Sequence, residues 1–136
     1  MGNSITVILK PTGACNMHCV YCYQSADLHK KKMTVETLEQ VVKSCFEIAN
    51  NVEFLWHGGE PLLMGVDFYK KAVALQTEHK KEKQNCKNSM QTNLTLLNQE
   101  YIDFFKENKF GLGSSLDGPR DLHDALRPYH NGSSTF

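Results

Sequence analysis

Charge of one sign is not in excess over this sequence as a whole: 15 Lys and Arg stand against 15 Asp and Glu. Without a basic face, nucleic acid is not an expected partner. Long apolar runs are missing too. The N-terminal "SITVILK" (residues 4–10) is too short for a secretion signal or a membrane span, and no basic segment precedes it. The expectation is a cytoplasmic protein with no membrane partner. Low-complexity tracts and internal repeats are absent. With 40% of its 136 residues hydrophobic, the chain carries enough apolar material for a packed core, which excludes disorder. The length suits one small domain or a piece of a larger one.

Cysteine is sparse except in one place. Three of the five lie in "TGACNMHCVYCYQ" (residues 12–24), as Cys15, Cys19 and Cys22. In a reducing compartment, clustered thiols point to metal or catalysis before disulfides. What this loop lacks is a fourth ligand. Structural zinc takes four N or S ligands in a closed tetrahedron. His18 could complete such a set, in a zinc-binding interaction module, but four ligands in one eight-residue loop make a crowded cage. No second C-x-x-C or H-x-x-x-H follows. Ferredoxin-type sites supply four cysteines per cluster. Three thiolates can instead hold three corners of a [4Fe–4S] cube and leave one iron open to a ligand. Cys45, on an apolar helix face, and Cys86, near a strand start, read as ordinary interior residues.

The rest of the chain alternates. Residues 4–10 read as a strand. Thr34 caps a helix whose Val35, Leu38, Val41, Val42, Cys45 and Ile48 recur at helical spacing. Residues 52–57 form a second strand, and Asp67 caps a helix running to Leu75. Residues 86–93 form a third strand. Asn98 caps a helix with Ile102, Phe104 and Phe105 on its apolar side. Residues 110–119 are a fourth strand ending in a turn, and the remainder reads as loop. Strand, loop and helix in repetition give an α/β fold with a parallel sheet. About four strands and three helices are too few to close a barrel. The expectation is one domain over residues 1–136, the N-terminal portion of a partial parallel (β/α) TIM-like barrel, cut short of its later strands.

Polar sets follow the strands: "HGGEP" (residues 57–61), "QTNLTLL" (91–97) and "SSLDGP" (114–119). The carboxyl ends of parallel strands are the ligand-binding edge of such folds. Gly58 and Gly59 are expected to expose backbone N–H groups to a ligand, with Glu60 as an acceptor. Asp117 with Gly118 reads as turn chemistry. Arg127 is a candidate partner for a carboxylate of cofactor or substrate.

The loop "CNMHCVYC", with Tyr21 before the last cysteine, resembles the radical S-adenosylmethionine (radical SAM) signature. "KP", "CxxxCxxCY", "GGEPLL", "QTNxTLL" and "SLDGPxxxHDxxRP", in that order over residues 10–136, resemble the anaerobic sulfatase-maturating enzymes and related SPASM-domain peptide modifiers. The resemblance implies a [4Fe–4S] cluster on Cys15, Cys19 and Cys22, with S-adenosylmethionine on the open iron. It implies Tyr21 beside the adenine and Gly58, Gly59 and Glu60 at the amino group of the cofactor's methionine. Asn93 and Ser115 are then candidates for ribose or methionine contacts. The implied reaction is reductive cleavage of S-adenosylmethionine to a 5′-deoxyadenosyl radical that takes hydrogen from a peptide or protein side chain, as in formylglycine formation in sulfatases. An electron donor such as flavodoxin or ferredoxin is the implied second partner. Two positions depart from the pattern: His57 stands where Gln is frequent, and Leu94 where Gly is usual, at a place expected to need positive φ. No catalytic base is assigned. The later strands and the C-terminal cysteine-rich domain of such enzymes are absent, so a fragment that binds the cluster without turnover is an alternative.

Overall fold

A computed structural model describes residues 2–23 and 31–136. The elements, in order, are β1 (Ser4–Leu9), α1 (Val35–Ile48), β2 (Asn51–Trp56), a 3-10 turn (Pro61–Met64), α2 (Val66–His79), β3 (Asn85–Gln91), α3 (Gln99–Glu107), β4 (Gly111–Gly113) and α4 (Arg120–Leu126). The strands pair in parallel in the order β1-β2-β3-β4. This is the open α/β sheet of a partial barrel.

Strand side chains alternate between faces. On β2, Val52, Phe54 and Trp56 are buried, while Glu53 and Leu55 on the other face are half-buried. The buried set meets Leu38, Val42 and Phe46 of α1 and Tyr69 and Ala72 of α2 in one core. Trp56 packs edge-on against Tyr69, with ring centroids 5.3 Å apart. Each large apolar side chain so buried contributes about 1.5–3 kcal/mol. Polar groups inside this core are paired. Asn88 and Gln76 exchange amide hydrogen bonds of 2.8 and 3.0 Å, and Trp56 Nε1 donates to Asn88 Oδ1 at 2.9 Å. Left unpaired, each would cost about 1–3 kcal/mol.

Helix starts follow local chemistry. Thr34 Oγ1 accepts from Thr37 N at 3.2 Å, and Asn98 Oδ1 from Tyr101 N at 3.0 Å. α2 differs from expectation. It begins after Gly65, with no side-chain cap, and runs past Leu75 to His79; Asp67 lies in its first turn. The fold also has a fourth helix where a loop was expected. α4 is short and lacks a side-chain N-cap, and its Asp124 secures the following tail. Asp124 accepts from Ser134 Oγ at 2.7 Å and from the Thr135 and Phe136 amides at 3.0 and 3.2 Å. β3 ends at Gln91, two residues earlier than the pattern suggested, and β4 is only three residues long.

α3 closes on a non-glycine residue in the left-handed region, Lys109 at φ 54. Phe110 N donates to Phe105 O at 2.9 Å and Lys109 N to Lys106 O at 3.3 Å, the pair of bonds that defines a Schellman cap. Left-handed φ costs an L-residue roughly 1–2 kcal/mol, and the Lys109 side chain is exposed. Lys109→Gly is expected to stabilise the protein by about 1 kcal/mol. Urea unfolding checks this: a midpoint that does not rise refutes it.

Candidate functional site

The cysteine loop leaves β1 and is held on both sides. On one side it takes up the loop after β2. Gly59 N donates to Thr12 O at 3.0 Å, and Glu60 N to Ala14 O at 2.8 Å. Only glycine allows this approach, because a Cβ on residue 59 would lie 2.1 Å from Ala14 O. Gly58 turns the chain at φ 107. On the other side the loop pairs with the last residue of α4 and the segment after it. His18 N donates to Pro128 O at 2.8 Å and Val20 N to Leu126 O at 2.9 Å. His130 Nε2 lies 3.0 Å from Cys15 O.

Every site residue expected from the sequence lines a single cleft of about 420 Å³ at the carboxyl edge of the sheet. That volume suits a small ligand. Their roles within the cleft differ. The N–H groups of the glycine turn are not exposed as expected. Those of Gly59 and Glu60 are spent on Thr12 and Ala14, and Gly58 N donates to His57 Nδ1 at 2.7 Å. No hydrogen bond among the described residues uses the Gly58 or Gly59 carbonyl. Glu60 is 1% exposed and its carboxylate is fully committed. Oε1 accepts from Leu62 N at 2.9 Å and Thr92 Oγ1 at 2.6 Å, and Oε2 accepts from Asn93 N at 2.8 Å. Two phenols buttress the same turn: Tyr69 donates to Pro61 O and Tyr101 to Leu62 O. Burial raises both above the ordinary phenol value, Tyr101 to about 12.

Asn93 is a strut between loops. Its Nδ2 donates to Asn16 Oδ1 at 2.9 Å and lies 3.8 Å from Cys15 Sγ, while its Oδ1 accepts from Thr95. Leu94 beside it has φ 64, the positive value expected there. Ser115 accepts from Gln91 Nε2 at 3.3 Å. Asp117, read from sequence as turn chemistry, accepts from the Tyr21 hydroxyl. Arg127 Nη1 donates to that same oxygen at 2.7 Å. Arg127 is 8% exposed, and its Nε is buried with no partner among the described residues. His123, also missed, is buried behind this group and accepts from Asp117 N at 3.4 Å. Its only sequence signal was its place within "SLDGPxxxHD".

The model of the radical SAM superfamily matches residues 9–136. The chain belongs to the radical SAM superfamily. It is 41% identical over 136 residues to the serine-type anaerobic sulfatase-maturating enzyme of Klebsiella aerogenes, covering 96% of this chain and 34% of that protein. It is 35% identical over 141 residues to the cysteine-type enzyme of Clostridium novyi (strain NT), covering 98% and 38%. The solved structure of hexahistidine-tagged anSMEcpe with bound AdoMet matches with a TM-score of 0.93 at 36% identity, over 98% of this chain and 38% of that one. Native anSMEcpe with bound AdoMet and Kp18Cys peptide gives 0.93 at 35% identity, with the same coverage. The chain thus spans about a third of the length of the curated relatives it matches.

The cofactors of radical SAM proteins are a [4Fe–4S] cluster and S-adenosylmethionine. The donor set fits the cluster. Three thiols on one loop line the cleft, and the Cys15 and Cys19 thiols each feel their neighbours' charges. Burial raises both thiols above their ordinary value. A backbone bond from Met17 opposes this at Cys15, and the Arg127 charge opposes it at Cys19. Iron would reverse the balance, since a coordinating thiol is deprotonated. Among the described residues, no three His, Cys, Asp or Glu are spaced to hold a single metal ion. His18, the fourth ligand of the zinc alternative, is exposed, and its ring lies tilted against that of His130 with centroids 5.4 Å apart. No helix among the described residues is long and apolar enough to cross a membrane.

Proposed function

We propose that this chain is the cofactor-binding part of a radical SAM enzyme that modifies peptide or protein side chains, with conversion of a Ser or Cys to formylglycine as the reading its relatives favour. The observation that carries it is the convergence of three thiols, the glycine turn and an under-bonded guanidinium on one cleft. When bound, the cluster and S-adenosylmethionine supply one-electron cleavage of a carbon–sulfur bond and, through it, hydrogen abstraction from the substrate.

The chain's own residues bind and orient. Cys15, Cys19 and Cys22 hold three irons. The Gly58 and Gly59 carbonyls are free to accept from an ammonium group. Arg127 has Nε and Nη2 to offer a carboxylate, the fork geometry that suits such a partner. Tyr21, oriented by Asp117 and Arg127, presents its ring to the adenine, and Ser115 presents a hydroxyl. Glu60 and Asn93 act one step back, fixing the loops that carry these contacts. The partners are a peptide or protein substrate and an electron donor such as flavodoxin or ferredoxin.

Anaerobic reconstitution tests this reading. The expected result is iron and sulfide in [4Fe–4S] proportion, with an EPR signal of the reduced form that changes on adding S-adenosylmethionine. Stoichiometric zinc with no iron or sulfide, or a signal indifferent to the cofactor, would overturn it.

A further inference from the structure

The cysteine loop has two faces. Between residues 18 and 23, Cys19, Tyr21 and Cys22 line the cleft, while His18, Val20 and Tyr23 do not and are exposed. Two members of this outer set are apolar and stand well into solvent, Val20 63% and Tyr23 70% exposed. Each directly follows a thiol, Cys19 or Cys22. Exposed apolar side chains scattered singly are ordinary. An aromatic ring and a β-branched side chain on one short loop, beside the proposed cluster ligands, have the composition of a contact patch.

Lysines border this patch. Lys10 Nζ donates to the Tyr23 hydroxyl at 3.2 Å and lies 5.1 Å from its ring centroid. An antiparallel bridge joins Thr12 to Lys32, and Met33 N donates to Pro11 O at 2.7 Å. These contacts bring Lys31 and Lys32, both exposed, beside the base of the loop. No ion pair among the described residues involves any of the three lysines. Charge balances over the whole chain, yet its first 35 residues hold four lysines against one acidic residue, Asp27. The local excess is positive and lies at the cysteine loop.

The chemistry proposed above begins with one electron entering the cluster. Cofactor and peptide take the cleft face, which leaves the outer face for whatever delivers that electron. We propose that this outer face, Val20 and Tyr23 framed by Lys10, Lys31 and Lys32, is the docking surface for an acidic one-electron carrier protein. No covalent bond forms on docking: the reduced carrier loses one electron and the cluster gains it. The inference rests on the function proposed above. Electron-transfer encounters bury less than about 1,200 Å² in total, so a few side chains suffice, and opposite charge speeds their formation.

The test uses the full-length protein, reconstituted anaerobically, with a flavodoxin as the carrier. In Lys10→Glu/Lys31→Glu, the second-order rate of cluster reduction by flavodoxin hydroquinone is expected to fall about tenfold or more at low salt. The gap to wild type is expected to narrow as salt is raised. Binding of oxidised flavodoxin, read by fluorescence anisotropy, is expected to weaken in parallel. Tyr23→Ser is expected to weaken it about threefold or more at every salt concentration. Iron content and photoreduction by deazaflavin, which needs no docking, are expected to match wild type within about twofold. Lys83→Glu, ahead of β3 at the opposite edge of the sheet, is expected to change nothing. Reduction by flavodoxin as fast in the charge-reversed variant as in wild type would overturn the proposal. So would an equal loss in Lys83→Glu, which would reduce the effect to net charge. If the double variant loses iron, Lys31→Glu alone decides, with a fall of about threefold expected. Wild type that takes up no iron fails the enzyme reading and the proposal with it; wild type that is photoreduced and cleaves cofactor, with flavodoxin kinetics blind to these lysines, fails the proposal alone.

Discussion

Cys19→Ala is expected to abolish iron loading and cofactor cleavage together while leaving the fold intact. The two halves of this outcome have separate causes. Three thiols are the whole protein ligand set of the proposed cluster, and removing one leaves two corners of the cube held. The loop's backbone does not depend on the thiol. Val20 N still reaches Leu126 O, and the Gly59 and Glu60 amides still bond to Thr12 and Ala14. The side chain is only half-buried, so its loss opens no large cavity. Iron content, the brown absorbance and cleavage of S-adenosylmethionine should all fall to background, with an unchanged circular dichroism spectrum. Wild-type iron content in this variant would remove the assignment of Cys19.

Glu60→Ala has the largest expected effect on stability, a loss of about 3–5 kcal/mol. Glu60 is 1% exposed and accepts from three protein donors. Truncation removes the acceptor of the Leu62 and Asn93 amides and the Thr92 hydroxyl, and each donor left unpaired costs about 1–3 kcal/mol. Glu60→Gln keeps the shape but turns an amide NH₂ or a neutral oxygen toward donors that met a carboxylate, so its loss should be smaller, about 2 kcal/mol. Urea unfolding of both variants reads the difference. A cost below about 1 kcal/mol for the Ala variant would mean that the turn relaxes to satisfy its own donors, and that Glu60 is free to meet a ligand.

Much of this architecture could be read from residue order because local chemistry dictated it. Thr34 and Asn98 start helices by capping backbone amides a few residues away, and the alternation along residues 52–56 follows from one face being covered. The exceptions lack such signals. α4 follows Pro119, with no side-chain cap and only seven residues, too few to display a period. α2 starts at a glycine with φ 84 that offers no side-chain cap. Within the site, residue types announced themselves and partnerships did not. The GGEP pattern places Glu60 at the ligand edge, yet nothing local tells that its oxygens are taken by Thr92 and Asn93, 32 and 33 residues on. Asp117 looked like turn chemistry because the bond that defines it comes from Tyr21, 96 positions earlier.

The cysteine loop lies near the amino end, but its far flank is formed by Leu126, Pro128 and the side chain of His130. At roughly 5–20 residues per second, the ribosome takes several seconds or more to make the intervening stretch. Until that stretch has emerged and closed back, the three thiols sit on a segment with one free border. For the cluster proposed on these thiols, the nascent chain would present the thiols early but a finished cradle only after α4 has docked.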